Sequence, residues 1–353
     1  MLFTCRQPRS RLYLFVRHSS ALRIAFFGSD KFSIESLRHM VKLKETLPGL
    51  IDVIDVITRR PKPFGRGLKQ LRDVPITQVA EEYNLRLLRA DTSAEINALV
   101  TENYSLAIAV SYGKLIPARF LQALPFGGLN VHPSLLPAYS GASPLQYALL
   151  NMDPSTGVTV QNLHPTRFDA GEILLQSPEL AISENETYDS LCDRLAMVGG
   201  QLLATVVRES LYIDPKPITG LLPYSYTSKI DKGRARIRWE VMSAREIARY
   251  YNTLGPLYTY KECCKLDKKT REMTSEVKRV TLKGVKVESR EFSLSQVGEF
   301  ILEGSRLVIK ARDGYVSAET LTLQTYREES AASFVSGLRK KTGDSRHVFL
   351  SEE

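Results

Sequence analysis

The sequence has few of the residues that build disulfide scaffolds and metal centres. Its 353 residues include four cysteines and five histidines, none of them at CxxC or HxxxH spacing. Cys263 and Cys264 are adjacent, which suits neither a disulfide bond nor a metal site. We therefore expect reduced thiols and no zinc or iron centre.

Long apolar runs and a dinucleotide fingerprint are also missing. No stretch reaches the about 18 apolar residues of a membrane-spanning helix, so none is expected. The first predicted turn reads GSDKFS and departs from GxGxxG, which argues against a standard dinucleotide site. Hydrophobic residues nevertheless make up 43% of the chain, enough for two buried cores, and the length suits two domains.

Acidic residues are absent before Asp30, whereas arginine is frequent there. Arg11 and Arg17 flank a short apolar run, LYLFV, that is too short for the core of a secretory signal. This composition predicts a mitochondrial presequence over residues 1–22 and a location in the mitochondrial matrix. A basic tail with no role in import is the alternative.

Positive charge is concentrated at the other end of the chain. The net charge is +9, and residues 225–353 hold 25 basic and 18 acidic residues. A basic domain behind a slightly acidic one is typical of a protein that binds a polyanion. An ordinary solvated surface explains the same surplus equally well.

Short apolar runs alternate with segments of helical periodicity through residues 23–212. Strands are predicted at 22–29, 51–58, 106–111, 127–132, 157–163 and 172–182, and helices at 31–43, 76–83, 94–104, 117–124, 143–151 and 187–211. This order predicts an α/β fold with a doubly wound, Rossmann-like sheet. Such sheets bind ligands beyond the carboxyl ends of their strands, where Gly28, Tyr112 and His132 would lie.

The segment 213–224 contains three prolines and a glycine and is predicted to be a linker. Beyond it, turn residues separate short alternating strands about every 8–12 positions. Residues 225–353 are therefore predicted to form a small, OB-like β-barrel. Trp239 is expected in its core.

The segment GLNVHPSLLPAYSGASPLQ at 128–146 has the residues for acyl-group chemistry. Asn130 and His132 lie two apart on a predicted strand, so their side chains leave the same face. An amide can stabilise an oxyanion, and an imidazole can do so and also transfer a proton. Asp169, in RFDAGE, is the candidate carboxylate for His132. Taken singly, His132 is better explained as a core histidine and Asp169 as a turn residue.

The string NVHPSLLPAYSGASP closely resembles the signature of the folate-dependent formyltransferases, and FDAG resembles their Asp-x-Gly element. RIAFFGSDKFS and VSYGKLIP resemble other strand ends of the family. The resemblance implies an enzyme that transfers a formyl group from 10-formyltetrahydrofolate to an amine, with Asn130, His132 and Asp169 as catalytic residues and no metal. Ala170 departs from the family's usual Asp-Thr-Gly turn.

The same resemblance implies a folate pocket on two loops. Its expected residues are Ser111, Tyr112, Gly113, Leu115, Ser134, Leu135, Leu136, Pro137 and Gly141. For residues 111–113, a tight turn that needs glycine for conformational reasons is the alternative.

Three features favour the branch of the family that formylates methionyl-tRNA. PKPFGRGLKQ at 61–70 resembles its basic insertion loop, YTSKIDKGRARIRWE at 226–240 resembles the opening of its C-terminal barrel, and the basic surplus lies on that barrel. The expected tRNA contacts are Arg66, Lys69, Lys229, Lys232, Lys340 and Lys341. A solvated loop and a solvated chain end are the alternatives for 61–70 and 340–341.

The expected function is formylation of methionyl-tRNA for mitochondrial translation initiation by a monomer that needs no membrane. Two other functions stay open. The acceptor could be a sugar nucleotide or a purine precursor, against which the basic C-terminal domain argues. The chain could also be an inactive RNA-binding homologue, against which the intact Asn130, His132 and Asp169 argue.

Overall fold

The computed structural model describes residues 21–216, 218–266, 273–344 and 346–352, without the side chains of residues 66, 265 and 266. The predicted presequence lies outside the described residues except for positions 21 and 22. The chain forms two compact units. Among the described residues, the first comprises 21–138, 157–178 and 193–224, and the second comprises 139–156, 179–192 and 225–352. The sequence predicted a single boundary between two domains, a linker at 213–224. In the structure, 139–156 and 179–192 also cluster with the C-terminal residues. The predicted domain boundaries therefore stay a prediction.

The secondary structure is as follows, in chain order. The strands are β1 (Leu22–Gly28), β2 (Ile51–Thr58), β3 (Lys62–Phe64), β4 (Gln70–Arg72), β5 (Leu87–Arg89), β6 (Leu106–Val110), β7 (Gly128–His132), β8 (Ser140–Gly141), β9 (Ser155–Thr156), β10 (Thr159–Asn162), β11 (Ile173–Gln176), β12 (Leu180–Ala181), β13 (Tyr226–Thr227), β14 (Leu257–Leu266), β15 (Met273–Lys283), β16 (Lys286–Glu288), β17 (Phe300–Glu303), β18 (Arg306–Lys310), β19 (Tyr315–Ala318), β20 (Thr320–Leu323) and β21 (Glu329–Ser330). The α-helices are α1 (Lys31–Thr46), α2 (Ile76–Glu82), α3 (Ser93–Ala98), α4 (Ala118–Gln122), α5 (Pro144–Leu150), α6 (Tyr188–Arg208), α7 (Ala244–Leu254) and α8 (Ala331–Thr342). Short 3-10 turns occur at Arg66–Leu68, Leu99–Glu102 and Lys232–Ala235.

A seven-stranded sheet of order β11-β10-β7-β6-β1-β2-β5 organises the first unit. The strands β1, β2, β5, β6 and β7 run parallel to one another, β10 runs antiparallel to β7, and β11 runs antiparallel to β10. β1 and β6 are almost wholly buried, as expected of apolar strands covered on both faces. The predicted α/β fold is confirmed. Because parallel strands end at one edge, the loops after β1, β6 and β7 gather there.

Local side-chain bonds fix where two helices of the fold begin. Asp30 caps α1, its carboxylate accepting the backbone N–H of Ser33 at 3.1 Å. Thr187 caps α6 by accepting the N–H of Ser190 at 3.1 Å. Among the described residues, α6 alone is long and apolar enough to cross a membrane, and half of its apolar segment is buried within the protein. Core helices of globular proteins share that composition. The absence of a membrane-spanning helix therefore stays a prediction.

The structure differs from the predicted elements in several places, for example in β5, which was not predicted, and in the helix predicted at 94–104, which ends at Ala98. The single strand predicted at 172–182 is two strands, β11 and β12, separated at Ser177–Pro178, where proline has no N–H to donate to a ladder. The basic segment predicted as a loop contains the hairpin β3–β4. Register across a hairpin depends on turn geometry that composition does not reveal.

The second unit has two four-stranded antiparallel sheets, β14-β15-β20-β21 and β16-β19-β18-β17, which share one apolar core. Trp239 is fully buried in that core and donates its indole N–H to Thr259 Oγ1 at 2.8 Å. The sequence predicted a small, OB-like β-barrel here, and the structure confirms a small antiparallel β domain. The predicted core position of Trp239 is also confirmed. Cys192, Cys263 and Cys264 form no disulfide bond in the described part of the chain.

A buried ion pair links β14 to the segment after α8. Lys261 Nζ lies 2.6 Å from Asp344 Oδ2, and the two side chains are 1% and 9% exposed. Arg346 also donates to this carboxylate, at 3.1 Å. Burial alone would raise the pKa of Asp344, but the hydrogen bonds from Lys261 and Arg346 outweigh burial and lower that pKa from 3.8 to about 2.

Replacing Lys261 with methionine should lower the free energy of unfolding at neutral pH by about 3 kcal/mol, because the variant buries a carboxylate that has lost its main partner. Since the folded-state pKa of Asp344 lies below its ordinary value, the pair stabilises the fold above pH 3.8 and loses this effect as the pH falls through about 2. The difference between wild type and variant should therefore shrink in acid. Urea denaturation at several pH values measures it.

The matched control is Lys286→Met, because the side chain of Lys286 is 71% exposed. Its effect should stay within about 0.5 kcal/mol. Equal losses in the two variants would contradict a specific role for the buried pair.

Candidate active site

Three nitrogen atoms converge on one carboxylate oxygen in the first unit. His132 Nδ1 lies 3.3 Å from Asp169 Oδ1. The side-chain amides of Asn130 and Gln161 donate to the same oxygen, each at 3.4 Å. The side chains of His132 and Asp169 are only 7% and 8% exposed, so these interactions lie in a medium of low dielectric constant, where they are stronger than in water.

The register of two neighbouring strands sets this arrangement. Asn130 and His132 lie two apart on β7 and share a face, as their spacing predicts. On the antiparallel neighbour β10, Gln161 is directly opposite Asn130, which places both side chains on one face of the sheet. The sheet therefore presents two amides and an imidazole to the turn that follows β10.

The turn 163–172 carries Asp169 back to β7. Asp169 has a φ of 48°, in the left-handed region that aspartate tolerates better than most residues. A Cβ on Gly171 would lie 1.6 Å from the carbonyl oxygen of Asn162, so only glycine allows the turn to pack against β10. Asn162 N–H also donates to the carbonyl of Glu172 at 2.8 Å. These contacts give a physical reason for an Asp-x-Gly pattern.

Hydrogen bonds from side chains of β10 and β11 hold the loop after β7 in place. Thr159 Oγ1 donates to the carbonyl of Ser134 at 2.7 Å and accepts the N–H of Leu136 at 3.0 Å. Gln176 donates to the carbonyl of Leu136 at 2.7 Å, and Ser134 Oγ donates to Ala138 at 2.7 Å. Sequence reasoning missed Thr159 and Gln176, because only sheet pairing brings them to this loop.

The predicted folate residues on this loop differ in exposure. Ser134 and Leu136 are buried, whereas Leu135 and Pro137 are half-buried. The half-buried side chains are therefore the ones that can contact a ligand, and Ser134 acts within the loop.

The loop after β6 holds four of the predicted folate contacts, and it exposes mainly backbone atoms there. Ser111 and Gly113 have φ values of 52° and 73° and are exposed, and Leu115 is half-buried. The Tyr112 side chain is buried and donates to the carbonyl of Ala90. Burial raises the pKa of Tyr112 to about 12. Tyr112 can therefore offer a ligand its backbone only.

Gly141 belongs to the second unit. It lies on β8, which pairs in parallel with β13, and a Cβ there would lie 2.2 Å from the carbonyl oxygen of Thr227. This close approach requires glycine for strand pairing, independently of any ligand.

The predicted tRNA contacts fall on both units. Lys69 is exposed beside the hairpin of the first unit, and the side chain of Arg66 lies outside the described residues. Lys229 and Lys232 are exposed in the second unit. These lysines present positive charge to solvent, as an RNA contact requires.

The two lysines at the end of α8 differ. Lys340 is exposed, whereas Lys341 Nζ lies 2.6 Å from Glu329 Oε1 and its side chain is 18% exposed. Glu329 offsets the charge of Lys341 within the fold, which weakens the case for Lys341 as an RNA contact.

Comparison with known proteins identifies the family. Residues 22–207 match the family described as Formyl transferase, and residues 229–339 match Formyl transferase, C-terminal domain. The chain belongs to the formyl transferase family. As an enzyme of this family it transfers formyl groups. No group of three His, Cys, Asp or Glu side chains that could hold a metal occurs in the described part of this formyl transferase.

Relatives of this formyl transferase cover almost the whole chain. The mitochondrial methionyl-tRNA formyltransferase of Saccharomyces cerevisiae is 35% identical over 99% of this chain and 97% of its own length. The methionyl-tRNA formyltransferase of Thermodesulfovibrio yellowstonii is 31% identical over 91% of this chain and 97% of its own. The mitochondrial enzyme of Homo sapiens is 28% identical over 94% and 80%.

Solved structures support the fold of this formyl transferase. HypX from Aquifex aeolicus in complex with tetrahydrofolic acid superposes with a TM-score of 0.55 at 17% identity, over 91% of this chain and 48% of that one. An N-formyltransferase from Helicobacter canadensis gives a TM-score of 0.55 at 14% identity, over 84% and 98%.

Gln161 is a site residue that the sequence did not reveal. Its side chain is buried, and its Oε1 has no hydrogen-bond partner among the described residues.

Gln161→Met keeps the side-chain length but removes the donor to Asp169. Formyl transfer should fall about tenfold in kcat, roughly the value of one hydrogen bond to a charged group. Steady-state kinetics with thermal unfolding measures both activity and fold.

The matched control is Gln201→Met, because Gln201 is exposed on α6. Its kinetics should match those of the wild type. If Gln161→Met is as active as Gln201→Met, Gln161 has no positioning role.

Proposed function

We propose that the chain is a methionyl-tRNA formyltransferase, which transfers the formyl group of 10-formyltetrahydrofolate to the α-amine of methionyl-tRNA. The observation that carries the proposal is the buried cluster in which Asn130, His132 and Gln161 meet Asp169. Similarity to the yeast enzyme over 99% of the chain favours this acceptor.

The amine attacks the formyl carbon, and the carbonyl oxygen gains negative charge in a tetrahedral intermediate. Asn130 has a second amide hydrogen besides the one that faces Asp169, and this hydrogen is available to the oxyanion. Removal of one such donor typically costs about 10²–10³ in rate. Stabilisation of the oxyanion is thus the role proposed for Asn130.

His132 moves the proton. Asp169 accepts from Nδ1, which fixes the ring tautomer and makes Nε2 the nitrogen that takes the proton of the attacking amine. As the bond between the formyl carbon and folate N10 breaks, the imidazolium returns a proton to N10, and tetrahydrofolate leaves. The carboxylate of Asp169 stabilises the imidazolium between these steps.

The proposed folate contacts are the half-buried side chains of Leu115, Leu135 and Pro137, together with the backbone of residues 111–113. The exposed lysines Lys69, Lys229, Lys232 and Lys340 are proposed to contact tRNA phosphates, because positive charge supplies most of the affinity for a nucleic acid. We propose that the enzyme works as a monomer in the mitochondrial matrix, where its product would initiate translation.

His132→Ala and Asp169→Asn should each lower formyl transfer by at least about 10²-fold, because the first removes the proton carrier and the second removes the charge that orients it. The readout is formyl-methionine released from tRNA after incubation with 10-formyltetrahydrofolate and methionyl-tRNA. Free methionine and an amino-sugar nucleotide serve as competing acceptors and should stay unformylated.

His164→Asn is the matched control. His164 Nδ1 accepts backbone N–H groups of Thr166 and Arg167, a role that the asparagine oxygen can take over, and activity should persist. More than half of the wild-type activity in both His132→Ala and Asp169→Asn would refute the mechanism. Formylation of the sugar nucleotide but not of the tRNA would refute the acceptor.

A fluorescent reporter fused behind residues 1–25 should enter mitochondria, because the Arg-rich and acid-free composition favours import. Microscopy with a matrix marker measures the location. Replacing Arg6, Arg9, Arg11 and Arg17 with glutamine should leave the reporter in the cytosol. Cytosolic signal from the unaltered fusion would exclude the presequence.

A further inference from the structure

A cleft of about 280 Å³ opens in the first unit, between the end of β2 and the β3–β4 hairpin. Its wall combines the basic side chains of Arg59, Lys62 and Arg72 with apolar ones such as Phe64 and Val74. We call it the hairpin cleft. None of the roles assigned so far explains why charged and apolar groups meet there.

Two other charged residues of the wall are neutralised within the fold. Asp73 accepts two hydrogen bonds from the guanidinium of Arg89, at 2.6 and 2.8 Å. Arg60 donates to Asp91 at 3.1 Å and to Glu95 at 2.7 Å. These two side chains therefore neither supply nor cancel free charge in the hairpin cleft.

The remaining three basic groups keep their charge. In the described part of the chain, Arg59, Lys62 and Arg72 form no ion pair. The guanidinium of Arg72 lies over the ring of Phe64, 4.3 Å from its centroid, a contact that orients the group without neutralising it. A cleft with a surplus of one charge attracts ligands of the opposite charge. The hairpin cleft is therefore suited to an anion.

Arg59 connects this cleft to the loop after β6. Its Nε is buried and has no hydrogen-bond partner among the described residues, an unsatisfied donor of the kind that ligands commonly complete. A Cβ on Gly113 would lie only 3.8 Å from Arg59 Nη2. The guanidinium thus lies against the backbone that is proposed to contact the folate.

The order of the strands gives the distance from the reacting atoms to the cleft. In the sequence β7-β6-β1-β2, the end of β2 lies three strand spacings from β7, which is roughly 14 Å at about 4.8 Å each. The formyl group is carried on N10, which joins the pterin to the aminobenzoyl-glutamate part of the folate. With N10 beside Asn130 and His132, an aminobenzoyl group that runs along this edge brings the glutamate to β2.

We infer that the hairpin cleft binds the glutamate tail of 10-formyltetrahydrofolate, an inference that rests on the folate contacts proposed above. Folates carry γ-linked glutamates, each of which adds one free carboxylate. A guanidinium holds a carboxylate with two parallel hydrogen bonds. Phe64 and Val74 can pack against the methylene groups between successive carboxylates. The enzyme should therefore distinguish formyl donors by the length of their tails.

The first test titrates the protein with tetrahydrofolate that carries one or five glutamates. The wild type should bind the pentaglutamate at least about tenfold more tightly, as one hydrogen bond between charged groups is worth that much. In the double variant Arg59→Gln/Arg72→Gln the two affinities should become nearly equal. Arg59→Lys keeps the charge but loses the two-pronged geometry, and it should retain part of the preference.

Kinetics with saturating methionyl-tRNA give a second readout. In the double variant, KM for the pentaglutamate formyl donor should rise about tenfold, whereas kcat should stay unchanged because the tail is remote from the reacting carbon. KM for methionyl-tRNA should also stay unchanged. The matched control is Arg38→Gln on α1, whose guanidinium pairs with Glu35 at 2.7 Å and does not line the cleft. It should keep the wild-type preference.

Equal affinity of the wild type for both tetrahydrofolates would overturn the inference. So would a preference that persists in the double variant, shown to be folded by thermal unfolding, or an equal loss in Arg38→Gln. A higher KM for methionyl-tRNA with an unchanged preference between donors would also overturn it, since the cleft would then serve the tRNA. The titration needs no acceptor, so a wild type that shows the preference but formylates no methionine refutes the proposed function and supports the hairpin cleft.

Discussion

One oxygen atom of Asp169 sets the geometry of the proposed catalytic cluster. Side-chain nitrogens of Asn130, His132 and Gln161 all contact this oxygen. They can do so only because three independent conditions hold. The strands β7 and β10 must pair in the observed register, the backbone of Asp169 must adopt a left-handed conformation, and Gly171 must allow the turn to approach β10. Change in any one of them would separate the carboxylate from the imidazole, and the ring would lose the interaction that selects its tautomer.

Sequence predicted this cluster only in part, for reasons that are physical. The shared face of Asn130 and His132 follows from strand periodicity, which is local. Asp169 lies far along the chain and was one candidate carboxylate that resemblance to a family supported, because closure of a turn onto a neighbouring strand cannot be read from composition. Gln161 was missed, since its position opposite Asn130 depends on register. Had the β7–β10 pairing been known, Gln161 would have been the obvious third donor.

The overall fold was easier to predict than the details of its surface. Continuous apolar strands separated by helices specify a parallel sheet, and Trp239 was correctly placed in a core. The roles of charged side chains were harder to predict from the sequence. Lys341, whose contact with tRNA stays a prediction, pairs with Glu329 within the fold. Positive charge in a sequence indicates a nucleic-acid surface only after internal partners have been subtracted.

The most direct test of the account concerns the imidazole of His132. Nitrogen NMR of the histidine side chains, with His132 assigned by its loss in His132→Ala, reports which ring nitrogen bears the proton in the neutral form. The contact with Asp169 predicts a protonated Nδ1 that donates to the carboxylate, and a changed tautomer equilibrium in Asp169→Asn. A proton on Nε2 in the wild type, unaffected by Asp169→Asn, would contradict it.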